Sequence, residues 1–236
     1  YYGMAYMARA GYDPSAAVTL QETFVRLSEG RQTGWLDGLL ASHPPSAERV
    51  AQNRLRAQQL GIRGELNAER YRDRIATLLK DQPAYEAYDQ AVEAVGKKNF
   101  EKAQILVAQA VKAQPREALF HGLQGYLALQ QSRPSEALAD YERALALDGG
   151  YYQHYVGAGL AAKALKRDAP AMQYLEKSLT LLPTATAHNA LGELALARGD
   201  RGRAIEHLRI AAQSDSPVGK QARDTLSRMG VPIAAP

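Results

Sequence analysis

Five histidines and no cysteine limit the bond-breaking chemistry open to this 236-residue chain. Zinc sites draw three or four ligands from Cys, His and carboxylates, often with two histidines at i and i+4 on one helix face. His43, His121, His154, His188 and His207 contain no such pair, no HExxH is present, and no thiol can complete a ligand set. Serine, histidine and aspartate are all common, yet no nucleophile motif frames them. The glycines miss both phosphate-cradling spacings. What remains is recognition chemistry, carried by thirteen tyrosines and by amide and carboxylate side chains.

The elements that would position those side chains follow from a pattern that returns about every 34 residues. Its clearest copy is Leu191-Gly192-Glu193-Leu194-Ala195, the turn Arg198-Gly199-Asp200, then Ala204, Leu208 and Ala211. Earlier copies place Gly159, Ala162, Ala171, Leu175 and Ser178; Gly125, Ala128, Ala137, Tyr141 and Ala144; and Ala91, Ala94, Ala103, Val107 and Ala110. This length and small-residue layout resemble the tetratricopeptide repeat. The expected fold is all-α, with about four antiparallel helix pairs over residues 84–230. Small residues stand where the paired helices cross, and polar turns join them. Pro115 and Pro183 end second helices, because proline cannot continue them. Ala91 replaces the glycine of the first copy. A final amphipathic helix over residues 218–229 predicts the polar cap a solenoid requires.

One such repeat cannot bury its apolar face alone; stacked copies leave a concave surface lined mainly by first helices. Repeat register turns Tyr85, Tyr88, Tyr126, Gln153, Asn189 and Glu193 toward that wall. Tyrosine offers large contact area at low entropic cost together with one hydroxyl. The guest would be an extended peptide or the edge of a folded protein, while packing between repeats is the alternative use of the same tyrosines. His121 and His188 fall near the fourth position of their repeats, where a ring between helices is the expected use.

Residues 1–80 do not repeat. A helix over residues 2–10 should end at Gly11, and Asp13-Pro14 reads as an N-cap followed by proline at the first helical position. Ala17, Leu20, Phe24 and Leu27 form the apolar stripe of the second helix, which Gly30 closes. A third helix should run from about Ala47 to Gln59, and residues 62–80 form a charged helical connector.

The order Tyr2-Gly3-Met4-Ala5-Tyr6-Met7-Ala8-Arg9-Ala10-Gly11-Tyr12-Asp13-Pro14, then Ser42-His43-Pro44-Pro45-Ser46-Ala47-Glu48-Arg49-Val50, resembles the end of the zinc metallopeptidase domain of peptidase family M forty-eight. That HtpX-like family includes BepA-like periplasmic members with a tetratricopeptide tail. The resemblance implies a metallopeptidase remnant over residues 1–80 and a repeat domain over residues 84–230. It also implies a bacterial periplasmic location, zinc in the full-length protein, and clients among stalled outer-membrane assembly components. The HExxH helix and the third-ligand glutamate would lie before Tyr1, so this chain alone is expected to be inactive. His43 matches a loop histidine that reaches the zinc and holds such enzymes shut. Capping the Pro44-Pro45 helix start, or simple exposure, is its alternative role. The opening Tyr1-Tyr2-Gly3-Met4, with no charged leader, reads as the interior of a longer protein.

Composition narrows the partners. Charged residues make up 23% of the chain, the formal charge is +4, and Lys and Arg are interleaved with Glu and Asp, so a solvated surface rather than nucleic-acid binding is expected. No apolar run approaches the roughly 20 residues of a membrane-spanning helix. Two function classes follow: the protein-binding part of a zinc metallopeptidase, or a stand-alone scaffold or co-chaperone.

Overall fold

A computed structural model describes residues 2–28 and 47–232. Those residues form twelve helices and no strand ladder, and the chain divides into two compact units, Tyr1–Ala76 and Thr77–Pro236.

The first unit holds α1 (Tyr2–Arg9), α2 (Ser15–Ser28), α3 (Ala47–Leu60) and the start of α4 (Ala68–Gly96). The turn after α1 forms as its residues predict. Gly11 adopts a φ of +86°, and the Tyr12 amide donates back to the Met7 carbonyl at 2.9 Å. The Asp13 carboxylate then caps α2 by accepting from the Ser15 amide at 2.8 Å, and the Ser15 side chain together with this amide holds the carboxyl below its ordinary range. The buried face of α2 keeps only part of the expected stripe: Ala17 packs at the core, and Val25 joins it. Val18 packs with Met4 and Val50, whereas Leu20 and Leu27 are exposed. Residues 62–67 are not helical: Glu65 pairs with Tyr12, its amide donating to the Gly11 carbonyl at 2.9 Å.

The connector and the first repeat helix, expected as separate elements, are one continuous helix that runs through Pro83. The second unit continues as α5 (Phe100–Ala113), α6 (Ala118–Gln130), α7 (Pro134–Leu147), α8 (Tyr152–Ala164), α9 (Asp168–Leu181), α10 (Ala185–Ala197), α11 (Arg201–Ala212) and α12 (Pro217–Arg228). The repeat is visible in the backbone. Lys98, Ser132, Lys166 and Gly199, spaced 34, 34 and 33 residues apart, each turn their hairpin in the left-handed region. Asn99, Thr184, Asp200 and Ser216 side chains accept from orphan amides at helix starts. Ala103, Ala137, Ala171 and Ala204 are fully buried where paired helices cross. Past the fourth pair, α12 covers Leu208 and Ala211 with Ala222 and Leu226, the capping role its sequence predicts.

Candidate functional site

The repeats create a groove of about 440 Å³ along the first helices α6 and α8, with Tyr88 of α4 on one side and Thr184 and Thr186 on the other. Its floor is a side-chain wedge. The Tyr141 ring, from second helix α7, is 6% exposed and lies between the backbones of α6 and α8. Both neighbours are glycine where it passes. A β-carbon at Gly125 would sit 2.9 Å from the ring, and one at Gly157 only 2.1 Å from its Cζ. A second ring repeats the device: His154, 3% exposed, lies 2.5 Å from where a Gly122 β-carbon would be. Leu119, Leu123, Val156 and Leu160 supply aliphatic wall.

Above the floor the groove is aromatic. Tyr88, Tyr126, Tyr141, Tyr151 and Tyr152 all line it. Tyr88 is steadied by Phe120 beneath it, with ring centroids 5.1 Å apart. Tyr151 meets His154 edge to face at 4.9 Å and donates its hydroxyl to Gln153, whose own amide donates to the Tyr152 hydroxyl at 3.3 Å. Burial pushes the Tyr88, Tyr141 and Tyr151 phenols above their ordinary range, so they are neutral hydrogen-bonding groups at pH 7. No lining residue is Lys, Arg, Asp or Glu. The groove offers shape, aromatic faces and hydroxyls, and no formal charge.

Three expected wall residues, Tyr88, Tyr126 and Gln153, share this groove. Tyr85 stands apart from its lining. It donates to Glu117 at 2.6 Å and packs on Phe120, and that hydrogen bond pushes its phenol up to about 12. Asn189 and Glu193 belong to a separate polar cluster. The Glu193 carboxylate accepts from Lys163 at 2.5 Å, Gln221 at 2.8 Å and Asn189 at 3.0 Å. His43 lies outside the described residues. Tyr141, Tyr151, Tyr152, His154 and Gly157 were not singled out as site residues; Tyr141, bulkier than Val107, Leu175 and Leu208 at the same repeat position, was the available signal.

The other histidines sit between helices. His121 donates from Nε2 to the Pro115 carbonyl at 2.9 Å, and His188 and His207 face each other with Nδ1 atoms 3.0 Å apart. Among the described residues no three His, Cys, Asp or Glu side chains gather as a metal site would require.

Burial holds the His154 imidazole below its ordinary 6.5, against the pull of Asp148 and Glu117. Burial and the neighbouring His207 do the same to His188, opposed by Glu206. In both cases the folded state binds the proton more weakly than the unfolded chain does, so stability is complete above about 6.5 and falls as pH drops below it. Thermal melts between pH 7.5 and 5.5 should show that decline, and a His154→Gln/His188→Gln variant should flatten it.

Four stacked helical hairpins with an uncharged groove define a helical-repeat solenoid. The tetratricopeptide repeat family model matches residues 88–152 and 123–186, so the repeats of this stretch are of tetratricopeptide type. No curated protein matches the chain. Among solved structures, MamA is 15% identical with a TM-score of 0.51, covering 67% of this chain and 87% of its own, a likeness of fold. The Arabidopsis OM64 tetratricopeptide domain is 21% identical with a TM-score of 0.49, covering 50% of this chain and 98% of its own. The first tetratricopeptide domain of Spaghetti (RPAP3), bound to the HSP90 peptide SRMEEVD, is also 21% identical with a TM-score of 0.49, covering 50% and 95%.

Proposed function

We propose that residues 77–236 form a polypeptide-docking domain of scaffold or co-chaperone type, whose groove over α6 and α8 holds an extended segment of a client protein. The observation that carries this reading is the uncharged cleft where five tyrosines converge on a floor shaped by glycines. Client capture measured on the full chain should fall at least tenfold in a Tyr88→Ala/Tyr126→Ala variant, with helicity unchanged by circular dichroism. A variant that keeps its helices and its full affinity would refute groove docking. The acidic peptide SRMEEVD is a useful contrast: with no Lys or Arg lining the groove, it should bind more weakly than an uncharged peptide of equal length.

A wider form of the proposal attaches this domain to a periplasmic zinc metallopeptidase and gives it outer-membrane assembly components as clients. It draws on the Gly11-Tyr12-Asp13-Pro14 and Ser42-His43-Pro44-Pro45 elements alone. Tethering would make client and active site neighbours at high effective concentration. A gene whose upstream reading frame lacks HExxH would remove this form and leave the docking domain intact.

A further inference from the structure

We infer that His188 and His207 form a proton-counting pair: it holds the fourth hairpin closed with no added proton or with one, and the second proton loosens it. The inference is independent of what occupies the groove. His188 stands on α10 and His207 on α11, and their Nδ1 atoms lie 3.0 Å apart. The ring centroids are 5.2 Å apart, which leaves room only for the two ring radii and that contact, so the nitrogens meet nearly head on. Holding a metal would need both lone pairs to converge on a third point, whereas here they share one line. The contact is therefore a hydrogen bond, and it fixes complementary tautomers. One ring donates from Nδ1–H, while the other accepts at Nδ1 and carries its hydrogen on Nε2.

The proton count follows from which nitrogens are free. A first proton has a place on Nε2 of the donor ring, and the bond then persists in a stronger, charge-assisted form. His207 takes that part, because it is partly exposed whereas His188 is buried. The place left for a second proton is Nδ1 of His188, inside the contact. Filling it sets hydrogen against hydrogen and cation against cation, so the rings must part. Burial opposes that charge on His188 first of all, the neighbouring His207 opposes it next, and Glu206 favours it. Among the described residues these two groups of α11 are the ones that act on His188 electrostatically; α8, α9 and α12, which also pack on α10, add none. Arg203, one turn earlier on α11, is paired with Asp200 at 3.7 Å. Thr186 of α10 and its N-cap Thr184 line the groove, so the pair sits in the hairpin that forms one groove wall.

The test uses the full chain labelled with nitrogen-15 and follows the histidine rings by long-range proton–nitrogen spectra from about pH 8 to pH 4. At the alkaline end one ring of the pair should be the Nδ1–H tautomer and the other the Nε2–H tautomer. On acidification the pair should titrate in two steps at least about one unit apart, a tenfold difference in proton affinity, with His188 charging last. Hydrogen exchange over Ala185–Ala212, corrected for the intrinsic effect of pH, should rise at least about tenfold across the second step. His207→Gln should abolish that rise, because an amide can donate to His188 or turn round and accept from it. Two Nε2–H rings at the alkaline end, titration in a single step, or an equal rise in His207→Gln overturns the inference. Should His207→Gln fail to fold, the tautomers and the step separation of the unaltered chain decide alone.

Discussion

Gly157→Ala should lower the melting temperature of the repeat unit by roughly 6–12 °C, a loss of about 3 kcal/mol. The added methyl would stand 2.1 Å from Tyr141 Cζ and 2.3 Å from Cε1, far inside van der Waals contact. On its other side the ring runs along the α6 backbone at Gly125, so close that a β-carbon there would stand 2.9 Å from it. Close-packed interiors accommodate such overlap by moving helices, not one side chain. Circular dichroism melts give the measurement. A second substitution separates overlap from any helix-propensity effect, since alanine is itself a better helix former than glycine. Tyr141→Leu combined with Gly157→Ala reproduces Leu175 and Ala190, which occupy the matching positions of the next repeat. Stability should recover in the pair while peptide binding does not. A single variant that melts with the wild type would show that Tyr141 is not wedged as described.

Phe120→Ala should be costlier still, about 3–5 kcal/mol. Phe120 is the largest fully buried side chain of the second unit, enclosed by Ala84 and Ala110 and packed against Tyr85 at 5.2 Å and Tyr88 at 5.1 Å. Aromatic pairs of this geometry add to the area term. The damage should concentrate on the first helix pair, and Tyr88 would lose the ring that steadies it in the groove. Denaturant titration measures the total, and hydrogen exchange should rise most over Tyr85–Ala113. Uniform exchange across all four pairs would mean that Phe120 supports the whole stack equally, against this account.

The helix pairs were legible because small residues recur at one spacing, and that spacing is a local requirement: where two helices cross closely, only glycine, alanine or serine fits. The cap was legible for the same reason, as an amphipathic helix following Ser216-Pro217. The face of α2 was not. Leu20 and Leu27 fit the helical period as well as Val18 does, and the choice is made by Met4 and Val50, which come from other helices. The connector and the first repeat helix were expected as separate elements, yet one missing amide at Pro83 does not end the helix that joins them. Within the site, Tyr88, Tyr126 and Gln153, which first-helix register turned to one wall, line the same groove, because facing is a property of a single helix. The floor escaped notice because Tyr141 belongs to a second helix and reaches the groove only through gaps left by Gly125 and Gly157 on two others. The ties of Glu193 to Lys163 and Gln221 likewise depend on neighbouring repeats.

The shared left-handed corners at Lys98, Ser132, Lys166 and Gly199 carry a consequence for how such a receptor can change length. Because every hairpin bends at the same step, a block cut between two corners begins and ends in identical backbone geometry. Duplicating or deleting residues 133–166 would therefore leave the flanking helices in phase, so recombination at these points can extend or shorten the recognition track by one whole module without redesigning either neighbour.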